Sequence, residues 1–255
     1  MVDYPAGLDG VTFHSGGCRL LGAFYRGAGR GPRPTVLLIH GLPGVEKNLD
    51  LAYAMREGGW NCLLFHYRGS WGSQGNYSLL QLTDDVLAAA DWLVEQESVD
   101  ADRIALVGHS MGGYIALTAG ARDLRFRAIV AICPLASPSR APLPLSLFEG
   151  FADMLHGITA PDLLSEYESL PSIEASAPRL KGRPILLLTG AQDEVFPAGH
   201  YPPLLKAKPS IEWHELPEGD HSMSLCRGKV VSLVAPWLEN HVARGAVLAG
   251  GPATR

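Results

Sequence analysis

A serine, an aspartate and a histidine stand where they could together perform nucleophilic catalysis. Ser110 lies within the glycine-flanked stretch Gly108–Gly113, between an apolar run and a segment of helical character. Glycine neighbours permit the tight turn that exposes a serine hydroxyl at a strand-to-helix junction. A hydroxyl is a weak nucleophile until a base takes its proton and a third group orients that base. Ser110 is therefore the candidate nucleophile, and it needs two partners.

The base must come from the nine histidines of the chain. His214 lies inside a strand pattern, His40 stands at the end of a strand, and His109 belongs to the serine turn itself. His221 instead stands in a loop directly after the last predicted strand. From such a loop a side chain can reach across the carboxyl ends of a parallel sheet. We therefore predict that His221 is the general base.

The orienting acid should follow another strand. Asp193 and its neighbour Glu194 come shortly after the apolar run 185–188. We expect Asp193 to orient the histidine and Glu194 to be a solvated loop charge. The strand that ends at Cys133 is followed by no acidic residue, which removes the main alternative placement. The predicted order along the chain is Ser110, Asp193, His221.

Alternating strands and helices must position these three residues. Apolar runs that resemble fully buried strands alternate with segments of helical periodicity from about residue 35 onward. Strands that are apolar on both faces indicate a mostly parallel sheet covered by helices on both sides. The first thirty residues favour an antiparallel hairpin at the sheet edge. Predicted strands are 11–13, 19–25, 35–39, 60–65, 103–107, 126–133, 184–189 and 211–216, and predicted helices are 46–58, 82–94, 111–121 and 224–241.

One proline-rich segment, residues 134–178, interrupts this alternation. It contains two short amphipathic pieces, around 145–156 and 161–170. At helical spacing the first piece places Leu147, Phe151, Met154 and Leu155 on one face. The segment is longer than compact domains usually tolerate in a plain loop. We predict a small helical cap over the site, inserted into a single domain that spans residues 1–255.

Composition excludes several classes of function. With 255 residues, 47% apolar residues and a net charge of −5, the chain suits a compact protein without a basic nucleic-acid surface. Apolar stretches all fall short of the roughly 20 residues that span a bilayer. The four scattered cysteines and the absence of HExxH argue against a metal site. These features and the lack of a visible secretory signal lead us to expect a cytoplasmic protein without metal or cofactor; they leave its oligomeric state open.

With the nucleophile turn, acid and histidine in this order, the chain resembles the α/β-hydrolase superfamily over nearly its whole length. The resemblance implies an oxyanion hole made by the amide after the nucleophile and an amide in the loop after the first buried strand. Here these are Met111 and, within His40-Gly41-Leu42-Pro43-Gly44, Leu42. Pro43 has no N–H, so Leu42 is the natural second donor.

The stretch Tyr67-Arg68-Gly69-Ser70 is similar to a turn of the serine peptidases related to prolyl oligopeptidase. Many simple esterases instead carry aspartate before the Arg-Gly pair. We expect Arg68 to anchor this turn and not to take part in catalysis. The resemblance implies a large β-propeller ahead of the catalytic domain in such peptidases. The residues before the first parallel strand leave no room for one, which favours an esterase over a peptidase.

These features predict a serine hydrolase that cleaves carboxylic esters of small to medium acyl groups through an acyl-enzyme intermediate. Its partner would be a small-molecule ester. Three alternatives stay open: a peptidase or amidase, an acyltransferase that uses the same residues, and a non-catalytic binding protein. Fold alone does not decide among them.

Overall fold

In a computed structural model, described over residues 2–180 and 182–243, an eight-stranded sheet forms the centre of the molecule. Its strand order is β10-β9-β8-β7-β5-β6-β3-β2. The six strands from β10 to β6 are parallel, whereas β3 pairs antiparallel with both β6 and β2. The predicted α/β class, mostly parallel sheet and antiparallel edge hairpin are confirmed.

The strands and helices have the following bounds. The strands are β1 (Asp3–Tyr4), β2 (Gly7–Ser15), β3 (Cys18–Arg26), β4 (Gly29–Arg30), β5 (Arg33–Ile39), β6 (Asn61–His66), β7 (Val99–His109), β8 (Phe126–Ile132), β9 (Ile185–Gly190) and β10 (Ile211–Leu216). The helices are α1 (Leu49–Glu57), α2 (Leu82–Val94), α3 (Met111–Arg122), α4 (Leu145–Ala152), α5 (Ala160–Ser169), α6 (Pro202–Ala207) and α7 (Arg227–Leu238). Short strands β1 and β4 form a separate antiparallel pair.

The two faces of the sheet bury two different hydrophobic cores. In β5, Leu37 and Ile39 join the core that contains residues of α2 and α3, while Val36 and Leu38 join the core that contains residues of α1 and α7. Successive side chains of a strand point to opposite faces, so a central strand with helices on both sides must be apolar throughout. This explains the uninterrupted apolar runs.

Two predicted helices differ from the observed ones at their ends. The first begins at Leu49 and not at residue 46, because Asn48 has left-handed backbone angles (φ 54°, ψ 42°) that no regular helix contains. The last is α-helical only from Arg227 to Leu238 and continues as a π-turn over Glu239–Ala243. Pro236 lacks the N–H that an unbroken α-helix would use at that point.

The segment 134–178 forms α4, α5 and two short 3₁₀ turns. Helix α4 ends at Ala152, so Met154 and Leu155 lie beyond it and do not share the predicted face. The side chain of Leu155 is buried, whereas that of Met154 is exposed. Leu147 and Phe151 do lie on α4 and line a cavity beside Ser110.

Within the described ranges, the helices are all too short or too polar to cross a membrane.

Candidate active site

The backbone turn between β7 and α3 presents the Ser110 hydroxyl. Ser110 has φ 58° and ψ −123°, a conformation that L-residues rarely adopt. A side chain at Gly108 would collide with the main chain of Gly112, and one at Gly112 with the main chain of β5. The Ser110 N–H donates to the Ile132 oxygen across 2.9 Å, which ties the turn to β8. The glycines thus allow a strained turn that the neighbouring strands hold.

Ser110, His221 and Asp193 form one hydrogen-bonded chain. Ser110 Oγ lies 2.9 Å from His221 Nε2, and His221 Nδ1 lies 3.0 and 3.1 Å from the two carboxylate oxygens of Asp193. Because a carboxylate only accepts, the proton belongs on Nδ1, and Nε2 is free to accept from the serine hydroxyl. The structure brings together the three residues singled out in the sequence.

The Asp193 carboxylate is buried yet remains the anionic partner of the chain. Its side chain is fully buried, and Oδ1 accepts from the N–H groups of Val195 (2.9 Å) and Phe196 (2.8 Å). Burial alone would raise the pKa of Asp193, but the hydrogen bonds from His221 and the Phe196 N–H outweigh it and hold the pKa below its ordinary value. Glu194 is exposed and takes no part in these contacts.

Leu42 and Met111 are the two residues whose N–H groups we expected to form the oxyanion hole. Both residues line the same cavity as Ser110. Met111 is the first residue of α3, where a helix leaves its N–H without an intrahelical partner. Among the described residues neither amide donates a backbone hydrogen bond. Both N–H groups can therefore serve a substrate oxygen.

The turn that begins at Tyr67 holds the loop containing Leu42. Arg68 forms a buried ion pair with Asp85 of α2, with Nη2 2.6 Å from Oδ1. From the anchored turn the Tyr67 hydroxyl donates to the His40 oxygen (3.3 Å), and Trp71 Nε1 donates to the Pro43 oxygen (2.8 Å). Arg68 touches none of Ser110, Asp193 or His221 through a hydrogen bond.

His109 holds the loop that carries His221, a contact that the sequence did not reveal. Its Nε2 donates to the His221 main-chain oxygen across 2.6 Å. Burial, together with the charge of His221, lowers the pKa of His109 to about 4, so its ring is neutral at pH 7. The Phe196 ring packs edge-on against the His221 ring at a centroid distance of 5.2 Å. His109 thus restrains the main chain of His221, and Phe196 contacts its ring.

Two cavities of different character open at Ser110. The larger, 220 Å³, is mainly apolar, and its walls include Leu143, Leu147, Phe151, Tyr167, Val195 and Phe196. The smaller, 110 Å³, lies against the loop after β5 and includes Glu46, His109 and Ser222. The sequence predicted Glu46 to be the first residue of a helix, and nothing there distinguished it as a residue of the site. Only the folded loop brings it to the site.

One set of side chains has ligand atoms close enough for a metal ion. Atoms of Cys133, Asp193 and His221 lie within 4.8 Å of one another. Burial raises the pKa of the Cys133 thiol well above its ordinary value, and the nearby Asp193 carboxylate raises it further. The thiol is therefore protonated and a poor metal ligand. The facing atoms of Asp193 and His221 already bond to each other. This arrangement favours a hydrogen-bonded chain over a metal centre.

Comparison with known proteins identifies the family of the chain. The model of the prolyl oligopeptidase family matches residues 51–243. An uncharacterized protein of Mycobacterium tuberculosis is 34% identical over 195 residues, which cover 76% of this chain and 64% of the relative. The chain thus spans just under two thirds of the length of that relative.

Two further proteins are similar to this chain. Acylamino-acid-releasing enzyme 1 of Oryza sativa subsp. japonica is 29% identical over 196 residues, covering 66% of this chain and 24% of the enzyme. The structure of the Pyrococcus furiosus esterase PF2001 superposes with a TM-score of 0.73 at 18% identity, over 93% of this chain and 92% of the esterase. At that identity the superposition concerns the fold, which is the α/β-hydrolase fold that the sequence resembles.

Proposed function

The chain belongs to the prolyl oligopeptidase family, and from this premise we propose that it is a serine hydrolase acting on carboxylic esters of small to medium acyl groups. The observation that carries the proposal is the hydrogen-bonded chain from Ser110 through His221 to the buried Asp193. A hydroxyl, a base and an orienting acid at these distances are the parts that acyl transfer needs.

The proposed reaction has two steps. Ser110 Oγ attacks the ester carbonyl carbon while His221 takes its proton, and the oxyanion accepts hydrogen bonds from the Leu42 and Met111 N–H groups. The carbon–oxygen bond to the alcohol breaks, and His221 gives its proton to the leaving oxygen. Water, activated by His221, then attacks the acyl-enzyme; its proton returns to Ser110 Oγ as the carboxylic acid leaves. Asp193 keeps the imidazole in the required tautomer throughout.

The apolar cavity supports the choice of acyl group. Its volume of 220 Å³ and its lining from α4 and the loop after β9 suit a short aliphatic chain. We propose that the segment 134–178 acts as a cap, because Leu143, Leu147, Phe151 and Tyr167 supply much of that lining.

A peptidase or amidase is the second candidate. It is favoured by the family itself and by the similarity to a plant enzyme named for releasing acylamino acids. The same three residues would serve, with an amine as the leaving group. The candidates are separated by comparing p-nitrophenyl butyrate with the p-nitroanilide of butyrate. The two compounds share the acyl group and the nitrophenyl chromophore. We expect hydrolysis of the ester only; anilide hydrolysis at a comparable kcat/KM would reassign the protein to the amidases.

The nucleophile is tested with Ser110→Ala on p-nitrophenyl butyrate. We expect kcat to fall by about 10⁴-fold or more. Ser169→Ala removes an exposed hydroxyl on α5 and serves as the control. If Ser110→Ala kept most of the activity, the proposed mechanism would be wrong.

The acyl pocket is tested by substrate length. Leu147→Trp fills part of the apolar cavity and should lower kcat/KM for a hexanoate ester about tenfold more than for an acetate ester. Met154→Trp enlarges a nearby exposed side chain outside the cavity and is the matched control. Equal losses on both esters in Leu147→Trp would argue against this cavity as the acyl site.

A further inference from the structure

The smaller cavity at Ser110 has an acidic wall. Glu46 lines it together with His109, Ser222 and the loop backbone from Gly41 to Val45. The same Glu46 also borders a wider surface cavity of 550 Å³, which it shares with Val45. Val45 and Glu46 thus border both cavities.

The Glu46 carboxylate is half-buried and lacks a cationic partner. Its Oε1 accepts from the Asn48 N–H across 2.5 Å, which orients the group and leaves Oε2 available. Within the residues that the structure describes, no lysine or arginine nitrogen comes within ion-pairing distance of it. The adjacent Lys47 places its ammonium 3.9 Å from the Trp71 ring centroid, and Arg227 pairs with Asp50. Neither of these two nearby cations forms an ion pair with Glu46, although both line the wider surface cavity.

Besides Glu46, the polar side chains in this cavity are those of His109, Ser110, His221 and Ser222. His109 is neutral at pH 7, and its Nε2 proton is committed to the His221 oxygen. Ser222 contributes only a hydroxyl. A carboxylate in a partly enclosed cavity without a counter-ion attracts a cation more strongly than one in open water.

We propose that this smaller cavity is the leaving-group subsite and that Glu46 selects substrates whose leaving group carries an ammonium group close to the scissile bond. The inference rests on the proposed serine hydrolase function and names its substrate class. The larger apolar cavity then takes the acyl chain.

Two esters that differ only in charge test the inference. Butyrylcholine is compared with its uncharged isostere, in which a tert-butyl group replaces the trimethylammonium group. For the wild type we expect kcat/KM to favour butyrylcholine by about tenfold, as one partly solvated charge contact allows. Glu46→Gln should reduce that ratio to about one. Glu57→Gln removes an exposed carboxylate at the end of α1 and should leave the ratio as in the wild type.

The position of the charge is tested separately. In a second pair of methyl esters, the trimethylammonium or tert-butyl group stands at the end of the acyl chain. If Glu46→Gln changed selectivity on this pair and not on the first, the leaving-group assignment would be overturned. Equal ratios in wild type and Glu46→Gln on the first pair would overturn the role of Glu46. Either result, with Ser110→Ala inactive, leaves the hydrolase proposal standing, since that proposal rests on Ser110, His221 and Asp193 and not on Glu46.

Discussion

His109 donates its Nε2 proton to the main-chain oxygen of His221 across 2.6 Å. The residue that precedes the candidate nucleophile therefore fixes the loop that carries the candidate base. His109 ends the central strand β7, whereas His221 lies in the loop after the edge strand β10, so the bond joins the carboxyl ends of two strands that are not neighbours. We expect the 2.9 Å distance from Ser110 Oγ to His221 Nε2 to depend on this bond as well as on Asp193.

Replacing His109 tests that dependence. We expect His109→Ala to lower kcat/KM for p-nitrophenyl butyrate about tenfold, because one buried hydrogen bond to the His221 loop is lost. His109→Gln keeps an N–H donor and should recover part of the loss. His214→Ala, on the half-exposed side of β10, is the control. An unchanged kcat/KM in His109→Ala would show that the loop holds its place without this bond.

The two adjacent carboxylates after β9 should differ sharply in effect. Asp193→Asn removes the charged acceptor and favours the wrong imidazole tautomer, so kcat should fall by about 10⁴-fold. Glu194→Gln alters an exposed side chain and should change kcat by less than about threefold. Steady-state kinetics on one ester, with folding checked by circular dichroism, measures both. The reverse order of effects would reassign the acid.

The buried pair of Arg68 and Asp85 should contribute to stability and not directly to chemistry. Asp85→Asn leaves the Arg68 guanidinium without its carboxylate in a buried site. We expect the free energy of unfolding to fall by about 3 kcal/mol, measured by urea denaturation. Asp84→Asn breaks the neighbouring exposed pair with Arg122 and should cost less than about 1 kcal/mol. Similar costs for both variants would contradict an anchoring role for Arg68.

Stability should decrease in mild acid because His200 is buried in its neutral form. His200 Nε2 accepts from the Ala136 N–H at 2.7 Å, and burial, with the nearby Arg140, lowers its pKa from 6.5 to about 4. Between these values the unfolded state binds the proton and the folded state does not. The free energy of unfolding therefore falls as pH drops from 6.5 toward 4, by roughly 1–2 kcal/mol at pH 5 from this residue.

The variant His200→Gln tests how much His200 contributes to the stability lost between pH 6.5 and pH 4. Glutamine keeps an acceptor for the Ala136 N–H but does not titrate, so the difference in unfolding free energy between pH 7.5 and pH 5 should shrink. Urea denaturation at the two pH values gives the difference. His214→Gln is the control, since His214 is partly exposed and bonds only to Glu212. The same pH difference in His200→Gln and wild type would rule out His200 as a source.

Sequence periodicity predicted most of the strands and helices, because a strand that is buried on both faces needs an almost continuous run of apolar residues. The runs that became β5, β8 and β9 are apolar at nearly every position, as central parallel strands require. Helix ends were less predictable, since a single residue such as Asn48 ends the regular backbone without breaking the apolar spacing. In the segment 134–178 the periodicity around α4 extended past the end of the helix at Ala152.

Residue types and their order along the chain were enough to single out Ser110, Asp193 and His221. Glycine flanks, and loops directly after strands, are local features that a sequence displays. The distances among the three residues, the burial of Asp193 and the support from His109 arise from strands brought together by folding. The acidic wall of the smaller cavity also arises from folding, because Glu46 approaches Ser110 only when β5 and β7 pair. Local backbone requirements thus determined which residues could react, while long-range packing decided which neighbours restrain them and what a substrate would meet.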